Sequence, residues 1–176
     1  MLNKGKFKDN VIPILLSVYN MNIFLDNTFD KITANYSVHH FTDNPNKALT
    51  ECYRVLKAGG EIIISDAVPP HKNIKKEFER ILALKEDRIT FMENELADMV
   101  SNAGFEVNYL DILKIRTSLL NWLNNDKSLN DKSKKKIMDI HRDNTKFFKD
   151  CYNQQEVGED ILIDTTVAII KGGKVG

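Results

Sequence analysis

Cysteine is scarce, with Cys52 and Cys151 the only two in 176 residues. Two thiols make no disulfide framework, so the fold must rest on a packed core, and a reduced, cytoplasmic setting is expected. An excess of one charge is missing as well, because 25 basic and 25 acidic side chains cancel. A surface without basic excess argues against nucleic acid or an anionic membrane as partner. No apolar run is long enough to span a bilayer. Glycine is absent from most of the first third, where Gly5 is the only one before Gly59. A Gly-x-Gly-x-x-Gly turn after a first strand, which a nicotinamide-dependent enzyme needs, therefore does not occur. Neither a nucleophile elbow nor a cysteine and histidine spacing suited to a metal is visible.

What remains is an ordinary globular composition, 42% hydrophobic, in a chain long enough for one domain spanning residues 1–176. The most informative stretch runs from Phe29 to Asp66. Lys31 to Asn35 reads as a strand, followed by a loop with Tyr36 and His39-His40. Asn44 caps a helix and Pro45 suits its first turn, where a backbone donor has no partner anyway. Leu49, Cys52, Tyr53 and Leu56 form the helix's apolar stripe, and Gly59-Gly60 is expected to end it. The unbroken Ile62-Ile63-Ile64 suits a parallel strand covered on both faces. Together these make a right-handed βαβ unit.

The same stretch carries a pattern. Phe29, Asp30, His39, His40, Phe41, Ala48, Leu49, Glu51, Arg54, Val55, Leu56, Lys57, Gly59, Gly60, Ser65 and Asp66 stand in register. In this they resemble class I S-adenosylmethionine-dependent methyltransferases of the ubiquinone and menaquinone biosynthesis branch. Ala103-Gly104-Phe105, at the end of a later helix, is similar to that family too. The resemblance implies an α/β, Rossmann-like methyltransferase sheet. It covers Ser17 to about Lys171, roughly the last two thirds of a family member. The family's first two strands, with their glycine-rich loop and ribose-gripping carboxylate, have no counterpart, so the sheet is expected to lack them. Lys31 to Asn35 then becomes an edge that invites pairing. Either Val11 to Val18, read as a buried strand rather than a signal peptide, covers it, or a second copy does in a homodimer.

Beyond Asp66 the stripe Ile74, Phe78, Ile81 and Leu82 predicts a helix over 73–85, ended by the charged break Glu86-Asp87-Arg88. Leu96, Met99, Val100 and Ala103 predict another, stopped by Gly104. Phe105 to Arg116 reads as a strand with a bulge near Leu110. Residues 117–152 read as an α-helical insertion, with one helix around Leu119 to Leu123 and a second from Asp131 to Cys151 burying Ile137, Ile140, Phe147, Phe148 and Cys151. Ile161 to Lys171 is the last strand, which in the family is antiparallel.

By resemblance, the cofactor is S-adenosylmethionine and the partner a small-molecule methyl acceptor. Val18 stands where the family places an acidic residue near the adenine, next to Tyr19. Asn35, Tyr36 and Ser37 fall beside the methionine portion, together with His40. His39 or His40 is the candidate base, since an imidazole titrates near neutrality, and adjacent residues are expected to send at most one ring into a pocket. Asp66, at a strand end, and Trp122 are candidates for the substrate pocket. Glu51 and Arg54 read as a surface pair, and His71 and His141 as solvent-facing. Two functions follow: methyl transfer to a small molecule, or a non-catalytic module that dimerises or binds a partner without the cofactor.

Overall fold

Residues 10–176 are described by a computed structural model. Strand β1 (Phe29–Asn35) leads through a 3₁₀ turn at Val38–His40 into helix α1 (Pro45–Val55) and strand β2 (Leu56–Ala67). Helices α2 (Lys75–Leu82) and α3 (Glu93–Asn102) precede strand β3 (Glu106–Ser118). Helices α4 (Leu119–Asn125), α5 (Asp131–Asp143) and α6 (Lys146–Cys151) follow, then strands β4 (Gln155–Val157) and β5 (Asp160–Gly173).

The sheet order is β1-β2-β5-β3, with β4 paired to β5 as a hairpin. β1 and β2 are parallel, joined by α1, as the βαβ reading requires. β5 runs antiparallel to both β2 and β3. The sheet is of a Rossmann-like α/β kind, with the antiparallel β5 between β2 and β3. No strand precedes β1 among the described residues, so β1 is an edge.

Asn44 caps α1 as its chemistry predicts, its side-chain oxygen accepting from the Lys47 N–H at 3.0 Å. The helix stops at Val55, earlier than Gly59-Gly60. Its last carbonyls are taken by the incoming chain, since Asn27 N–H donates to Arg54 O and Thr28 N–H to Val55 O. The Lys174 ammonium adds hydrogen bonds to the carbonyls of Tyr53 and Leu56, a cation where the helix dipole is negative. Gly60 is fixed by space instead. A Cβ there would stand 2.8 Å from Leu56 Cγ, 2.9 Å from Lys57 O and 3.0 Å from Asp30 O. Two of those atoms are backbone and cannot swing away. Gly60→Ala should therefore cost about 1–3 kcal/mol of unfolding free energy in urea titration, and a change under a few tenths would contradict the packing described.

Two cores flank the sheet. On one face Ile62, Ile64, Ala168 and Ile170 meet Leu49 and Cys52 of α1 and Leu96 and Val100 of α3. The other gathers Phe78 and Ile81 of α2, Leu119 and Leu123 of α4, Ile137 of α5 and Phe148 of α6 against Ile161 and Ile163.

Several expectations are corrected. Val11 to Val18 forms no strand and covers no edge, with Ile12 81% and Leu15 97% exposed. Val18 and Met21 do pack onto the core. The segment is anchored by polar contacts instead. Glu51 accepts from Met21 N–H, and Arg54 donates to the carbonyls of Met21 and Phe24 and to Asp26. Glu51 and Arg54 thus pair as predicted and also hold the entry turn. The β3 irregularity lies between Val107 and Tyr109, just before Leu110. The helix expected over Asp131 to Cys151 is two, because Thr145 starts a new one by accepting from Phe148 N–H, and Phe147 turns outward. His71 is half-buried against the Phe147 ring, and His141 is 2% exposed.

Candidate active site

At the carboxyl ends of β1 and β2 lies a cavity of about 460 Å³. Open α/β sheets place ligands at this edge. Its walls come from several elements. α2 contributes Phe78, Ile81 and Leu82, α4 contributes Trp122, and β5 contributes Ile163 and Thr165. The loop after β1 supplies Tyr36, His39 and His40, and the segment after α2 supplies Lys85, Glu86 and Arg88. His141 and Tyr152 close it from the helices beyond β3.

The polar end is organised by Asp66, which is fully buried. Its carboxylate faces His39 Nδ1 at 2.6 Å and accepts from the backbone N–H of His39 at 3.1 Å and of Ala67 at 2.8 Å. This fixes the His39 ring and leaves Nε2 as the free nitrogen, 3.7 Å from Glu86 Oε1. Glu86 is held by Lys85 at 3.1 Å and Arg88 at 3.3 Å. Burial pushes the Glu86 carboxyl up, but the Lys85 hydrogen bond and the charges around it outweigh burial and hold it below the usual range. Arg88 lies 4.0 Å from Asp66, and burial lowers its pKa. His40 stacks beside His39 with ring centres 4.0 Å apart, and burial and that neighbour together lower its pKa.

Both histidines line the cavity, against the expectation that adjacent residues send in at most one. The 3₁₀ turn over Val38–His40 brings the two rings side by side. Asp66 does not line the cavity; it contacts His39, which does. Trp122 does line it, with the Lys85 ammonium 5.5 Å from its ring centre. Of the residues assigned to the cofactor, Asn35, Tyr36 and Ser37 gather at the end of β1. Ser65 Oγ donates to Asn35 Oδ1 at 2.5 Å, and Ser37 Oγ donates to Asn35 O at 2.8 Å. Tyr36 has φ +47°, a left-handed conformation stored at a strand end. Val18 and Tyr19 lie apart from the cavity. Val18 packs on the core, and the Tyr19 hydroxyl accepts from Asp43 N–H.

Lys85, Glu86 and Arg88 went unrecognised because a charged triplet after a helix reads as solvated loop. Its signal was position, directly after an amphipathic helix that itself follows a strand end. His39, His40 and Glu86 offer ligand atoms within 4.8 Å of one another. Lys85 and Arg88 already neutralise Glu86, and their charges oppose a divalent cation.

His141, on α5, lines the cavity as well. Burial pushes its pKa down to about 4. In the unfolded chain it would titrate near 6.5, so the unfolded state binds the extra proton first as pH falls. His141 therefore favours the fold above pH ~6.5 and loses that contribution between there and about pH 4, by on the order of 3 kcal/mol. Urea titrations at pH 7 and pH 5 should show the loss, and His141→Phe should flatten it. An unchanged slope would contradict the assignment.

Residues 2–64 match the family model described as a methyltransferase domain, rather more than a third of the chain and beginning ahead of Ser17. No curated protein matches the sequence significantly. Among solved structures, the chain is similar to a Bacillus halodurans protein provisionally assigned as a methyltransferase, at TM-score 0.79 and 21% identity over 91% of this chain and 70% of that one. It is similar to the YcgJ protein of Bacillus subtilis at TM-score 0.78 and 21% identity, over 91% and 69%. The [4+2]-cyclase SpnF superposes at TM-score 0.61 and 17% identity, over 92% and 56%. The chain has the Rossmann-like fold of these structures, and residues 2–64 match the methyltransferase domain model. No helix among the described residues is long and apolar enough to cross a membrane.

Proposed function

We propose that this chain serves S-adenosylmethionine-dependent methyl transfer to a small, largely apolar molecule bearing a removable proton. The observation that supports this best is the cavity itself. It has the volume of a small-molecule site, apolar walls from α2 and α4, and one oriented imidazole at the strand ends. His39 Nε2 takes the acceptor's proton, and Asp66 holds the ring in the tautomer that leaves Nε2 bare. Lys85 and Arg88 keep Glu86 ionised beside it, which favours the imidazolium once formed.

The cofactor fits these residues in part. The end of β1, with Asn35 fixed by Ser65 and Tyr36 in its left-handed turn, forms one wall for its methionine portion. No glycine-rich loop precedes β1 among the described residues. The cofactor, when bound, supplies the methyl group. The test is incubation with methyl-labelled S-adenosylmethionine and a pool of small metabolites. Label appearing in an extractable small molecule is expected, and no label above the protein-free control would overturn the reading.

A second reading is favoured by β1, a parallel edge strand with no partner among the described residues. A second copy pairing there would make the chain a dimerising module. Its mark would be a stable dimer that binds no cofactor.

A further inference from the structure

His141 is buried yet open to the cavity, and its contacts define which of its nitrogens is free. Gln154 Nε2 donates to the His141 carbonyl at 3.0 Å. That fixes the amide with its Oε1 toward His141 Nδ1, at 3.3 Å. An amide oxygen only accepts, so Nδ1 carries the proton and Nε2 is a bare acceptor. The ring packs edge-on against Tyr152 at 5.3 Å and Phe148 at 5.2 Å. The Tyr152 side chain is also buried in the cavity wall, and its hydroxyl has no hydrogen-bond partner among the described residues. Burial holds Tyr152 protonated and His141 uncharged. A bare acceptor and a hydroxyl thus stand side by side in a largely apolar cavity lining, available to a bound molecule.

We infer that His141 and Tyr152 form a recognition subsite, within the cavity, for an uncharged hydroxyl group of the bound small molecule. The hydroxyl donates to His141 Nε2 and accepts from the Tyr152 hydroxyl. Neither protein group carries charge, so the subsite selects a neutral alcohol over a carboxylate or phosphate. This rests on the cavity being a small-molecule site, as proposed above.

The test compares benzyl alcohol with ethylbenzene, which has the same shape without the hydroxyl, by NMR shift titration of the full chain. Benzyl alcohol should bind roughly ten-fold more tightly, and the His141 Nε2 nitrogen signal should move only with the alcohol. Tyr152→Phe, which removes a single oxygen, and His141→Phe should each shrink the preference. Equal affinities, or a preference unchanged in Tyr152→Phe with an unmoved His141 signal, would overturn the subsite while leaving the cavity reading intact. Failure of both compounds to bind would overturn the cavity reading and the subsite with it.

Discussion

Replacing Asp66 by alanine should destabilise the protein by about 3–5 kcal/mol, read as a fall in the urea midpoint with little change in slope. The carboxylate is fully buried and serves His39 Nδ1 and two backbone N–H groups at once. Its loss leaves all of them in a site where water cannot replace it, and leaves Arg88 without a negative charge 4.0 Å away. Asp66→Asn keeps the shape and one acceptor, so its effect should be smaller. If Asp66→Ala changed stability by less than about 1 kcal/mol, on the scale of a surface contact, the carboxylate would not be the organising group described.

His39→Gln should retain the fold and lose turnover. Glutamine can still donate to Asp66, which separates the chemical role from the structural one. Removing a positioned base typically costs ~10²–10⁴-fold in rate. Label transfer from methyl-labelled S-adenosylmethionine should fall by that much while binding in the cavity changes little. Turnover within a few-fold of the parent would move the base elsewhere, with His40 the next group to replace.

Both predictions rest on residues whose positions were unequally legible. The βαβ unit was readable because Asn44-Pro45 and the stripe of Leu49 and Cys52 have few other structural meanings. Asp66 was readable as a strand end, but its burial was not, since a strand-end carboxylate is ordinarily solvated. What meets it is His39 and, from the segment after α2, Arg88, a tertiary contact between parts far apart in the sequence. Val11 to Val18 misled for the converse reason. Its apolar run has the composition of a strand, yet it pairs with nothing in the sheet, and the Glu51–Arg54 anchor that places the following turn is an electrostatic contact with no periodicity. His141 had no sequence signal, because one histidine in a lysine-rich helix looks solvated until Phe148 and Tyr152 fold over it.

The most direct measurement is calorimetric titration of the purified protein with S-adenosylhomocysteine, with its mass in solution determined alongside. The account predicts saturable binding in the micromolar range, weakened by Asn35→Ala at the end of β1. A complex that forms only at the mass of a dimer would place part of the donor wall on the second copy. No heat at millimolar ligand would contradict the account and leave the dimerising module as the reading to pursue.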